Sequence, residues 1–157
     1  MKQIGYFIGI FIVFIFAIIA SGIGKEAGNI VSDKFNLTTP SANAQSNELQ
    51  KIIEDAVKTA RKQMQLPKRV NNDTILTSIS ARQGGIVYHQ KLINIDSREV
   101  DIPNSKSKMR KLVQSQVCSN KQMEFGLKKG IIYTYSYVDK NGVFLCAFNY
   151  TKRDCGY

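Results

Sequence analysis

From Gln3 to Gly24 the chain runs for 22 residues without a charge, between Lys2 and Lys25, and most of that run is Ile, Phe or Val. About 20 apolar residues at 1.5 Å each make a helix that crosses a hydrocarbon core of roughly 30 Å. The run therefore predicts a membrane-spanning helix over residues 4–24 and divides the chain into an anchor and a separate module. The competing reading is a cleaved secretory signal, whose apolar core is shorter, about 7–15 residues, and is followed closely by a small-x-small site. Ala20-Ser21-Gly22 fits such a site, which would release a secreted soluble domain. The apolar run itself, from Ile4 through Phe16 to Ile23, is long for a signal.

The domain reading is an anchor over 1–28, a flexible linker over 29–46 and an extracytoplasmic α+β domain over 47–157. This places a single-pass protein in the cytoplasmic (inner) membrane. Lysines flank both ends of the span, so positive-inside counting gives no orientation, and the cysteines decide it below. Small residues recur at spacing four at Gly5 and Gly9 and again at Ala20, Gly24 and Gly28. That spacing lets two membrane helices approach closely, so it marks a candidate homodimer face. Past residue 28 the composition turns to Ser, Thr, Asn and Ala with Pro40, which suits an extended linker.

The segment 47–65 carries Leu49, Ile52, Ile53, Ala56, Val57, Ala60 and Met64 at helical spacing, with Lys and Glu on the other face and Pro67 beyond its end. β-prone runs follow at Thr74–Ser80 and Ile86–Ile95, joined through Gln83-Gly84-Gly85, a turn signal. Pro103-Asn104-Ser105 opens a second helix with Met109, Leu112, Val113 and Val117 on one face. A further helical turn fits Gln122–Leu127. Ile131–Val138 and Val143–Tyr150 then form a hairpin around Asn141-Gly142. This α-β-β-α-β-β order predicts a two-layer domain: a four-stranded antiparallel sheet covered on one face by two helices.

Three cysteines allow three pairings. Cys118 follows the second helix and Cys155 lies two residues from the C-terminus, so a Cys118–Cys155 bridge would tie down a fraying end. Cys146 alternates with Phe144, Phe148 and Tyr150 and reads as a small apolar residue. A disulfide beside an anchor or signal points to an oxidising compartment.

The chemistry is sparse. The one histidine, His89, sits far in sequence from the cysteines, and there is no Cys-x-x-Cys pair, phosphate-binding glycine loop or nucleophile elbow. No metal or cofactor site is expected, and an envelope enzyme using His89 or a thiol is the alternative function. Asp96, Glu99 and Asp101 read as surface ion-pairing groups among basic residues.

Charge and aromatic residues supply the remaining functional content. Past residue 44 there are 19 Lys and Arg against 10 Asp and Glu, a net of +9. Lys106, Lys108, Arg110 and Lys111 form one basic group, and an anionic envelope component or a protein partner would be drawn to it. Nucleic acid is disfavoured, because the Lys/Arg-Gly-Phe signature of RNA-binding sheets is missing. Tyr133, Tyr135 and Tyr137 alternate on one side of a strand, forming either a recognition surface or a packed row beneath the helices. The chain thus reads as a membrane-tethered, non-catalytic binding or assembly module of a bacterial cell envelope.

Overall fold

The computed structural model describes residues 42–99 and 101–157. The predicted anchor, with its span at 4–24 and its homodimer face at Gly5, Gly9, Ala20, Gly24 and Gly28, lies outside the described residues, as does most of the linker. Among the described residues no helix is long and apolar enough to cross a membrane.

The elements are α1 (Ala42–Met64), β1 (Lys68–Arg69), β2 (Thr74–Arg82), β3 (Gly85–Leu92), α2 (Ile102–Ser119), α3 (Lys121–Lys128), β4 (Ile132–Val138) and β5 (Phe144–Tyr150), followed by a 3-10 turn at Arg153–Cys155. Helix α1 starts at Ala42, inside the stretch expected to be linker. Helix α2 is capped by Asp101, whose side chain accepts from the Asn104 N–H, with Pro103 in the first turn, where its missing donor costs nothing. Asn120 ends α2 and caps α3, accepting from the Gln122 and Met123 N–H groups at 3.0 and 3.3 Å.

The expected four-stranded antiparallel sheet with two helices is corrected: the described residues form a five-stranded mixed sheet with three α-helices. Strand order is β1-β2-β3-β4-β5, and β3 pairs with β4 in parallel, from Gly85↔Ile132 to Lys91↔Val138. The cause is the connection. Parallel neighbours need a long crossover, and α2 and α3 fill the chain between β3 and β4. A β-carbon on Gly85 would collide with the Ile132 carbonyl oxygen at this junction, so glycine lets the two backbones meet.

Alternation sorts the sheet into two faces. Leu76, Ile79, Ile86, Gln90, Leu92, Tyr133, Tyr135, Tyr137, Cys146, Phe148 and Tyr150 are buried on the face that the helices cover. All of these but Gln90 join Ile53, Val57 and Met64 of α1, Val113 and Val117 of α2, and Met123 and Leu127 of α3 in one hydrophobic core. Helix α1 lies over β2 and β3, and α2 over β5. The opposite face carries Ser78, Ser80, Val87, His89, Lys91, Thr134, Ser136, Ala147 and Asn149, and no described element packs over it.

Candidate functional site

The tyrosine row lies on the covered face. Tyr133, Tyr135 and Tyr137 keep 6, 5 and 4% of their surface, so their rings form the core rather than an open recognition surface. Tyr135 stacks on Tyr88 at 5.1 Å between centroids and meets Tyr150 edge-on at 6.0 Å. Its hydroxyl points at the Met123 sulfur, 3.7 Å away. Burial raises the pKa of every ring in the group, Tyr88 to about 12 and the others further. Those hydroxyls therefore stay neutral near neutral pH.

The residues that could do chemistry lie on the uncovered face. His89 Nε2 is 2.8 Å from the Ser80 hydroxyl, across the β2–β3 ladder. A serine nucleophile needs a histidine that can become imidazolium, held in place by a third group. Here burial lowers the His89 pKa, and the positive charge of Arg61 lowers it further. Among the described residues no carboxylate hydrogen-bonds to His89; its backbone carbonyl takes the Thr77 hydroxyl at 3.0 Å. The pair is built as a cross-strand polar contact. The thiols offer no alternative base partner: Cys118 and Cys155 are joined, and burial pushes Cys146 up to about 11 despite the pull of Lys106. Among the described residues no three His, Cys, Asp or Glu side chains converge as a metal site.

The Cys118–Cys155 disulfide has its Cα atoms 5.1 Å apart and locks the C-terminal turn onto α2. Its surroundings are built to receive it. Asp154 accepts from the Thr151 N–H and hydroxyl at 2.8 and 2.7 Å, bonds that hold its carboxyl below the usual range. Gln114 donates to the Asp154 carbonyl at 2.6 Å, and the Tyr157 hydroxyl donates to the Cys118 carbonyl at 3.1 Å.

A second clamp holds the β4–β5 turn, and sequence reasoning missed it. Asp96 is not a surface ion-pairing group but is 2% exposed, gripped by Arg98 Nε and Nη2 at 2.9 and 2.7 Å, with Lys140 Nζ at 3.3 Å. Hydrogen bonds from Arg98 hold its carboxyl far below the ordinary carboxylate range. Asp139 is fully buried; burial pushes its carboxyl up, but bonds from Ser97, Val143 and Asn141 outweigh this and hold it at about 2. The turn within Asp139-Lys140-Asn141-Gly142 was legible, but not that its own Asp139 and the distant Asp96 would organise it.

The clamped turn delivers the most exposed large apolar groups among the described residues, Val143 at 51% and Phe144 at 63%. No sequence signal separated them from the rest of an apolar strand. Lys106, Lys108, Arg110 and Lys111 are exposed on α2, which runs beside β5. Arg110 faces β5, its guanidinium 5.8 Å from the Tyr150 ring centre, and Lys106 lies one turn before it on α2. Arg110 also meets Asp154 at 3.4 Å.

No family model matches this chain, and no curated protein matches it. Three solved structures share its fold. A Pseudomonas aeruginosa protein described as secreted has a TM-score of 0.62 at 20% identity, over 74% of this chain and 99% of its own. The pilotin EpsS of the Vibrio vulnificus type 2 secretion system has a TM-score of 0.58 at 12% identity, over 72% and 96%. The type II secretion system pilotin AspS from Vibrio cholerae has a TM-score of 0.58 at 16% identity, over 74% and 100%. At these identities the likeness defines the fold alone, one shared with two secretion pilotins and a protein described as secreted.

The expectation of a single-pass protein in the cytoplasmic membrane is corrected on these findings. No described helix can cross a membrane, and none of the three proteins of this fold is described as a single-pass membrane protein. The segment that suggested this location lies outside the described residues.

Proposed function

We propose that this protein is a non-catalytic module that holds a partner protein during assembly or secretion at the bacterial cell envelope. The observation that carries the reading is the fold: the domain spans nearly the whole of two type II secretion pilotins. The disulfide supports an oxidising compartment outside the cytoplasm. The Ser80–His89 pair, with a depressed histidine and no carboxylate behind it among the described residues, favours binding over hydrolysis.

Lysine-directed crosslinking of the full chain in its native cells tests this. One protein should be joined to it reproducibly, and mass spectrometry should identify a component of a secretion or envelope-assembly complex. That component should fail to reach its assembled form when the gene for this chain is deleted. Adducts only to itself or to abundant bystanders, with envelope complexes intact after deletion, would contradict the proposal.

A further inference from the structure

The two edges of the sheet are treated differently. On one side β1 is two residues long and consists of Lys68 and Arg69. Beyond its reach, the Arg61 side chain donates to the Ile79 carbonyl on the free side of β2. Short edge strands and charged side chains are the usual devices that keep a sheet from pairing with another chain. The far edge has few of them. Strand β5 is seven residues long, Phe-Leu-Cys-Ala-Phe-Asn-Tyr, with no charge and no proline. A register shift near its start is the only irregularity against β4. Among the described residues no backbone hydrogen bond from another element reaches its outer side. Ala147 and Asn149 are exposed along it, and Val143 and Phe144 stand open at its start.

The flank of this edge is basic. Arg110 of α2 reaches over the Tyr150 ring of β5, and Lys106, one turn before it, with Lys108 and Lys111 extends the same exposed positive helix. Among the described residues no carboxylate pairs with Lys106, Lys108 or Lys111. An uncharged strand edge offers main-chain hydrogen bonds to any extended chain, and the lysines select one that carries negative charge.

We propose that the outer edge of β5 receives an extended acidic segment of the partner protein as a sixth strand. Phe144 and Val143 would bury its apolar side chains, and Lys106 would meet its carboxylates. The inference rests on the partner-holding reading above and names its surface and the chemistry of its ligand. Backbone pairing would supply affinity, and the lysines register and rate of encounter.

The test uses the full chain, in detergent, with a fluorescent ten-residue peptide alternating valine and glutamate as probe. The acidic peptide should bind, and hydrogen exchange of the outward amides within 144–150 should slow about tenfold or more on binding. The same peptide with lysine for glutamate should bind at least about fivefold more weakly. Lys106→Glu should weaken the acidic peptide by a similar factor, and Phe144→Lys should do so with the fold unchanged by circular dichroism. Absence of peptide binding, or protection elsewhere on the domain, would overturn the proposal. So would protection of 144–150 before peptide is added: if independent of concentration, the edge is covered by the chain's own residues; if it grows with concentration, by a second copy. If native crosslinking still yields an assembly component while β5 stays unprotected, the partner-holding function stands and only this surface falls.

Discussion

Replacing Tyr135 by alanine should remove about 3–5 kcal/mol of stability, the range for truncating a packed aromatic ring. The ring is 5% exposed, stacked on Tyr88 at 5.1 Å and edge-on to Tyr150 at 6.0 Å, on a strand with neighbours on both sides. Truncation leaves a cavity between β4 and α3 that the rigid sheet closes poorly. For a domain whose total stability is about 5–15 kcal/mol, that loss is large. Tyr135→Phe is the control: it keeps the ring and loses only the hydroxyl contact to Met123, so it should cost under about 1 kcal/mol. Urea unfolding followed by circular dichroism measures both. A Tyr135→Ala variant within about 1 kcal/mol of the parent would mean that the row faces solvent.

Cys155→Ser should cost a comparable amount. The bridge spans 37 residues. By the loop-entropy estimate, closing such a loop in the unfolded chain is worth about 4 kcal/mol. The loss should appear as a lower melting temperature, and reductant should destabilise the parent but not the variant. Cys146→Ser should leave the response to reductant unchanged, because Cys146 is a free, buried thiol. A parent indifferent to reductant, or a linked peptide joining Cys146 to either other cysteine, would refute the assignment.

The elements were legible because periodicity and turn chemistry are local. Gly84 and Gly142 take φ values of 68° and 86° in the two turns that their sequences announced. The pairing of Cys118 with Cys155 was one of three, favoured by the place of Cys155 near the C-terminus and by the apolar alternation around Cys146, and it is the one the structure contains. The parallel union of β3 and β4 did not, because alternation tells which way a side chain points, not which strand lies alongside or in which direction. Ile86, Tyr88 and Gln90 would read the same beside an antiparallel neighbour. Strand β1 was invisible because two residues, Lys68 and Arg69, carry no pattern. The tyrosine row was seen as a row, but its face depends on where α2 and α3 land, which is a tertiary fact. Asp96 and Asp139 were hidden for a similar reason: besides their local partners, each bonds a residue far along the chain, Asp96 to Asn141 and Asp139 to Ser97.

Binding without catalysis is the central claim, and complementation of a deletion strain by the Ser80→Ala, His89→Gln double variant tests it most directly. The quantity to measure is the fraction of the crosslinked envelope partner that reaches its assembled form. If the protein works by holding that partner, the double variant should restore the fraction to the parental level, within error, while its melting temperature confirms that the domain is folded. If Ser80 and His89 formed a nucleophile and base, the rate should fall by orders of magnitude. A folded double variant that fails to restore assembly would contradict the claim.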